Sequence, residues 1–336
     1  MPRQSLFSVT VVLNTYNDGK IIEECFRSVS KQNYKGKVNT LILDGGSSDE
    51  TIKIAQKYKV NISIRKDLKD LPHIRAELGI KSITTDLIVL FSADNRFLEN
   101  DCLRRMIEPF YDKDIVVSQT FQYGFFKNSS LLTKYFALIG GADPIAVELG
   151  KADRAPYDKT QWHSFGKVKN FKNYFEVIFE NDPQKIPTLG ANGIVIRNSV
   201  LKKYPIENTL HTEMCLNFIE NGYNKFAFVK DANIVHEISV GLMAFCMRRL
   251  RWSALYSSDK MKRKYFVFKF PEDAFKLLGI IIAAFTIVIP TIRAFRGYSK
   301  YRHLAWFLHP FVLLIFVLSY GMQVISQTMG KIRVKS

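Results

Sequence analysis

The first 120 or so residues alternate two kinds of segment, and this rhythm constrains the fold more than any other feature of the chain. Short apolar runs at 7–13, 38–43, 60–64, 86–91 and 114–118 read as strands. Amphipathic stretches near 19–31, 49–58, 72–83 and 99–110 separate them and read as helices. A strand reaches a parallel neighbour only through a crossover long enough to hold a helix. The alternation therefore predicts an α/β fold with a mostly parallel sheet and helices on its faces. In such sheets a ligand sits beyond the carboxyl ends of the strands.

Two of those ends carry carboxylates. The run 41–43 stops at Asp44, and Gly45, Gly46, Ser47 and Ser48 follow. The run 86–91 leads through Ser92 and Ala93 to Asp94 and Asn95. Each has an ordinary reading as a turn: Ser47 or Ser48 ahead of Glu50 suits a helix cap, and Asp94-Asn95 can open a turn before the next helix. An aspartate at one strand end is weak evidence, whereas a second at a neighbouring end outlines a site.

The formal charge of +17, with pI ≈ 9.6, asks for an anionic partner: nucleic acid, a phosphate-bearing substrate or a membrane surface. The basic residues gather beside the C-terminal apolar runs and no nucleic-acid recognition motif is present, so a nucleic-acid partner is not expected. Cys25, Cys102, Cys215 and Cys246 lie too far apart for a zinc spacing or a disulfide framework, which fits a reducing compartment. Met1-Pro2-Arg3 runs almost directly into the first apolar segment, so no secretory leader is expected.

From about 120 to 190 the rhythm gives way to aromatic-rich, mixed segments that read as an elaboration over the crevice. The end of the chain differs in kind. Residues 277–292 form a run of 16 without a charge, about 24 Å as a helix and short of a ~30 Å hydrocarbon core. Residues 304–325 form a run of 22, long enough to cross. Pro290 and Pro310 are better tolerated in a membrane helix than in a soluble one. Tyr298, Tyr301, Trp306 and Tyr320 supply interfacial aromatics. Two C-terminal transmembrane helices within 274–325 are expected, after a juxtamembrane amphipathic segment at 253–273 and before a basic tail at 326–336. The other reading of the two runs is a pair of buried helices.

Topology is less clean. Basic residues precede the first run (Arg248 to Lys264) and follow the second (Lys331, Arg333, Lys335), so both flanks favour the cytoplasm. Yet Arg293, Arg296, Lys300 and Arg302 sit between the runs, and either the upstream cluster outvotes them or the first run lies in the interface. The expectation is a multi-pass protein of the cell membrane with a cytoplasmic catalytic domain.

Six segments then add a resemblance. Residues 8–17 (with Asn14-Thr15-Tyr16-Asn17), 44–51 and 91–95, followed by 190–197 (Gly190-Ala191-Asn192-Gly193), 211–223 with 232–236, and 248–252, resemble the family 2 glycosyltransferases. The resemblance covers about 7 to 252. It implies a GT-A fold in a domain spanning 1–252 and transfer of a sugar from a nucleotide-diphosphate donor with inversion, in the manner of a hexosyltransferase. By that resemblance Thr15, Asn17, Asp44, Ser92 and Ala93 would bind the nucleotide sugar, together with Arg248, Arg251 and Trp252. Asp94 and His236 would hold a divalent metal, Mg²⁺ or Mn²⁺. The arginine–tryptophan segment has a second reading as a juxtamembrane basic helix, and His236 as a histidine satisfied at a strand end.

The departures bear on the chemistry. Ser92 stands where the family's metal motif has its first aspartate. The position of the acidic base falls on His211, while Glu213 matches the later acidic position, so the catalytic base is His211 or Glu213. A sugar hydroxyl must lose a proton as it attacks and needs such a base; a polyprenyl phosphate is already an anion and hardly needs one. The expected acceptor is lipid-linked, either a polyprenyl phosphate or a lipid-linked glycan. The alternative is a degenerate nucleotide-sugar-binding scaffold at the membrane. The oligomeric state is left open.

Overall fold

The computed structural model describes residues 5–190, 192–204, 211–256 and 264–335; for 211, 251–256 and 326–335 the description covers the backbone alone. In chain order the first elements are β1 (Val9–Thr15), α1 (Ile22–Ser30), β2 (Val38–Asp44), α2 (Thr51–Lys57), β3 (Asn61–Ile64), α3 (Pro72–Lys81) and β4 (Leu87–Ser92). Next come β5 (Asn95–Phe97), α4 (Cys102–Ile107), β6 (Ile115–Gly124), α5 (Leu131–Ile139), α6 (Pro144–Glu148), β7 (Lys167–Asn170) and β8 (Tyr174–Ile178). The chain continues with β9 (Ile194–Arg197), α7 (Asn198–Lys203), α8 (His211–Glu220) and β10 (Lys225–His236). It ends with α9 (Leu242–Tyr256), α10 (Ala274–Thr286), α11 (Val288–Lys300) and α12 (His309–Lys335).

These elements form two compact units, residues 1–127 with 164–237, and residues 128–163 with 238–336. The first is an α/β unit. Its sheet runs β3-β2-β1-β4-β9-β6-β10-β8-β7, with β5 paired to β10. The alternating Val9, Val11 and Leu13 of β1 pack with Ile22, Cys25 and Phe26 of α1 and with Met106 beyond α4's first turn. The opposite face of β1 is buried as well, which explains its nearly unbroken apolar sequence.

Only part of this sheet is parallel. β3, β2, β1 and β4 run parallel, as does β6 with β10. β9 is antiparallel to both of its neighbours, and β10 is antiparallel to β5 and β8. The sheet is therefore mixed, where the sequence predicts a mostly parallel one. An antiparallel neighbour requires no crossover helix, so β9 and the β7–β8 hairpin leave no strand–helix rhythm to read.

The second unit comprises α5, α6 and α9–α12. Among the described residues one helical run, Leu304–Ile325, is long and apolar enough to cross a membrane. The other expected span is two helices, α10 and α11, bent by 85° at Ile287, whose φ is 63°. Pro290 gives the physical reason. Its ring would clash with the carbonyl of Thr286 four residues earlier and it lacks an N–H for that carbonyl. The first helix ends at Thr286, and Pro290 falls in the tolerant first turn of the second.

Candidate functional site

The first strand end is closed by two interlocked loops. β1 and β2 place Thr15 opposite Asp44, and β4 on the other side of β1 places Ser92 opposite Asn14. Asp44 is fully buried. Its Oδ1 accepts from the amides of Gly46 and Ser47, both at 2.7 Å. Its Oδ2 accepts from the hydroxyls of Ser47 at 2.5 Å and Thr15 at 2.9 Å. Four donors fill a carboxylate's acceptor positions, so Asp44 folds its own turn. Gly46, at φ 87°, supplies the left-handed residue that the turn needs.

Residues 16–19 fasten onto this turn. The Asn17 amide donates to Ser47 Oγ at 2.8 Å, Ser48 N donates to Asn17 Oδ1 at 2.9 Å, and Gly19 N donates to Asp49 at 2.9 Å. Arg75 of α3, itself buried, donates to the carbonyls of Leu43 and Leu68 at 2.9 Å and of Thr15 at 3.2 Å. Sequence reasoning overlooked Arg75, because an arginine inside an amphipathic helix reads as solvent-facing.

It also overlooked Asp18. This carboxylate accepts from the Tyr16 amide at 3.0 Å. Burial raises its pKa from 3.8 to about 6; the Tyr16 bond opposes the rise, and the negative charges of Asp94, Asp49 and Asp44 add to it. Asp18 thus responds electrostatically to both strand-end aspartates.

The second strand end gathers residues from three places. β4 turns through Ala93 and Asp94 into β5, and the buried Asn95 accepts from the Ser92 amide at 2.9 Å through Oδ1. β5 pairs with β10 so that Asn95 faces His236 in register, and the Glu237 amide donates to the Asp94 carbonyl at 2.9 Å. His236 Nε2 consequently stands 3.5 Å from Asp94 Oδ2. Asn192, at φ 52° between Gly190 and Gly193, joins them. It lies 3.4 Å from His236 Nδ1, accepts from Asn95 Nδ2 at 3.2 Å and donates to the Tyr123 hydroxyl at 3.3 Å. Gly193 is required here, since an added Cβ would fall 2.1 Å from Ile234. The Asn192-Gly193 pair, a turn dipeptide, was the available sequence signal for Asn192.

The Asp94–His236 pair suits a hard divalent cation. Two ligands about 2.1 Å from an octahedral ion are ~3 Å apart, close to the 3.5 Å observed. Among the described residues no group of three His, Cys, Asp or Glu side chains could hold a metal. Two such ligands suit an ion completed by water and diphosphate oxygens.

His211 opens α8, and its side chain lies outside the described residues. Glu213, in the first turn of the same helix, is buried. The helix start is locked by Thr212, whose hydroxyl donates to the Leu189 carbonyl at 3.0 Å and accepts from the Leu189 amide at 3.2 Å. Arg248, Arg251 and Trp252 lie on α9, in the second unit. Arg248 packs over Phe245 with 5.5 Å between guanidinium carbon and ring centroid; the side chains of Arg251 and Trp252 lie outside the described residues.

Comparison with known proteins follows the same lines. A model described as glycosyl transferase family 2 matches residues 10–204. The O-antigen chain rhamnosyltransferase RfbN of Salmonella typhimurium is 30% identical over 108 residues, 31% of this chain and 33% of that protein. A dolichyl N-acetyl-alpha-D-glucosaminyl phosphate glucuronosyltransferase of Methanococcus voltae is 28% identical over 108 residues, 30% of this chain and 33% of that protein. The matches thus span about a third of each curated relative. Among solved structures, the mannosyltransferase PcManGT of Pyrobaculum calidifontis, in complex with GDP-Man and Mn²⁺, superposes with a TM-score of 0.53 at 12% identity. That superposition covers 95% of this chain and 87% of PcManGT, a likeness of fold.

Proposed function

Because the chain belongs to glycosyl transferase family 2, we propose that it is a membrane-anchored, inverting glycosyltransferase that moves a sugar from a nucleoside-diphosphate donor to a lipid-linked acceptor. The observation that carries this reading is the approach of Asp94 and His236 at a strand end in register with the Thr15–Asp44 end. One end would take the nucleoside and the other the diphosphate.

At the nucleoside end, Asp44 is a fixed acceptor whose Ser47 hydroxyl is the partner most easily exchanged, since the Gly46 and Ser47 amides are bound within the turn. A base N–H reaching Asp44 takes the place of that hydroxyl. Asn17 and Thr15 shape the same edge. At the diphosphate end Asp94 and His236 would hold a divalent metal, Mg²⁺ or Mn²⁺, whose charge, when bound, offsets the charge that develops on the departing nucleoside diphosphate. Asn192, which also donates to the Tyr123 hydroxyl, holds the His236 ring in place through its contact with Nδ1. Ser92 and Ala93 line the turn between the two ends.

The acceptor attacks the anomeric carbon. If it is a sugar hydroxyl, its proton passes to His211 or Glu213. If it is a lipid phosphate, the nucleophile is already an anion and neither residue need act as base. The C-terminal apolar helices favour a lipid-linked acceptor, and the Methanococcus relative is named for a dolichyl-linked one. Arg248, Arg251 and Trp252 are assigned to the diphosphate and acceptor by the family resemblance.

The test uses detergent-solubilised full-length protein with polyprenyl phosphate, a panel of radiolabelled nucleotide sugars and Mn²⁺ or Mg²⁺. The expected result is metal-dependent label in the organic phase, lost in Asp94→Ala. Donor binding without label would move the acceptor to a lipid-linked glycan. Absence of both label and donor binding would overturn the reading in favour of a non-catalytic scaffold.

A further inference from the structure

Helix α12 has the length of a span, but its polar contacts fix where its first half lies. His309, buried at its start, reaches Glu148 through Nε2 at 3.0 Å and the Tyr135 hydroxyl through Nδ1 at 2.8 Å. Arg293 of α11 pairs with the same Glu148. Eleven residues along, Tyr320 donates to Asp143 Oδ2 at 2.7 Å, which also accepts from Arg249 of α9 at 3.1 Å. Asp143 and Glu148 are the N-cap and last residue of the short helix α6.

The two charged levels are therefore about 17 Å apart along α12 at 1.5 Å per residue, whereas a hydrocarbon core is ~30 Å thick. A spanning α12 would hold at least one ionised cluster within the hydrocarbon, where such groups are costly. The first half of α12 is instead the core helix of its unit, with Val312, Leu313 and Phe316 buried.

The preceding helices fall short too. α10 and α11 have 13 residues each, about 20 Å, and turn by 85° between them. α10 exposes Phe275 (89%), Leu278, Ile282 and Phe285. α11 exposes Val288, Ile289, Ile292 and Phe295 along one face, with Arg296 and Lys300 exposed beside them. A helix with one apolar face and flanking cations lies in a membrane interface.

Charge supplies the independent argument. Cationic segments near 248–264, 293–302 and 331–335 each prefer the cytoplasmic side. Two crossings would expel the middle segment, and a single crossing by α12 would expel the last. With no crossing, all three stay on one side.

Resting on the membrane anchorage read above, we propose that the helical unit is seated in a single leaflet. The apolar faces of α10 and α11 and the far part of α12, with Met322, Val324 and Ile325 exposed, dip into the acyl boundary. The three cationic segments bind anionic lipid headgroups of that same leaflet.

Single cysteines test this, because the four natural ones are buried. Thr160→Cys, on an exposed stretch of the same unit, marks the aqueous side; Ser299→Cys and Ser336→Cys report the middle and last cationic segments. Full-length variants in sealed membrane vesicles from expressing cells are treated with a membrane-impermeant maleimide before and after detergent. The three positions should show the same ratio of labelling before to after detergent. Ser299→Cys or Ser336→Cys reacting on the side opposite to Thr160→Cys would overturn the single-leaflet seating while leaving anchorage intact. Failure of the protein to float with the vesicles at low salt would overturn the anchorage on which it rests.

Discussion

Asp44 and Asp94 end neighbouring strands, and the sequence around each has the same shape: an apolar run, a carboxylate and a polar turn. The fold uses them differently. Asp44 is wholly buried and its four acceptor positions are filled by its own turn and by Thr15. Asp94 keeps 18% of its side chain exposed and faces an imidazole 3.5 Å away. The difference arises in what each strand meets next. Asp44 is followed by glycines that fold the chain back onto the carboxylate, whereas Asp94 is followed by β5, whose pairing with β10 delivers His236. Asp44 is held by its own turn and would have to release a hydroxyl to receive a base, whereas Asp94 is held beside His236 at a more open strand end.

The largest effect that would separate the two is on turnover. Asp94→Ala should lower activity by about 10²–10³-fold, the scale of losing charge stabilisation at a leaving group, with the thermal midpoint near that of the wild type. Equal losses of activity and midpoint would erase the distinction. Asp44→Ala should do the reverse in stability. It strands the buried Thr15 hydroxyl and the half-buried amides of Gly46 and Ser47, at about 1–3 kcal/mol in all, and calorimetry should show a midpoint lowered by several degrees.

A smaller effect is expected at His236. His236→Ala should raise the Mn²⁺ concentration for half-maximal activity by about tenfold, with rate recovered at high Mn²⁺, a measurement that separates metal holding from chemistry. The smallest is at Asp18. Its raised pKa means that the folded state binds this proton more tightly than the unfolded one. The resulting stability is present below 3.8 and is lost as pH rises through about 6. Asp18→Asn should flatten that decline in chemical-denaturation midpoints; an unchanged slope would show that burial does not raise the Asp18 pKa.

Much of this was legible in the sequence. The strands expected at 38–43, 60–64 and 86–91 are β2, β3 and β4 to within a residue, and the helix expected at 72–83 is α3. The apolar run reports β4 most directly, because Leu87 to Phe91 are all buried. The four-residue β9 and three-residue β5 are too short to show a period, and their antiparallel partners are far along the chain. For that reason the Asn192–His236–Asp94 meeting was legible only as separate pieces. The buried guanidinium of Arg75 had no sequence signal, since its partners are main-chain carbonyls. Apolarity marked 277–292 as a candidate span, yet the break that divides it follows from one proline's backbone chemistry.

The most direct test is a calorimetric titration of nucleoside diphosphates into the wild-type protein, Asp94→Ala and Ser47→Ala, each with and without Mn²⁺. The account predicts that one nucleotide binds the wild type and Ser47→Ala in a Mn²⁺-dependent manner, and that Asp94→Ala loses the Mn²⁺ dependence while remaining folded. Equal, Mn²⁺-dependent binding by Asp94→Ala and the wild type would contradict it, because the diphosphate and its metal would then be held somewhere other than the Asp94–His236 end.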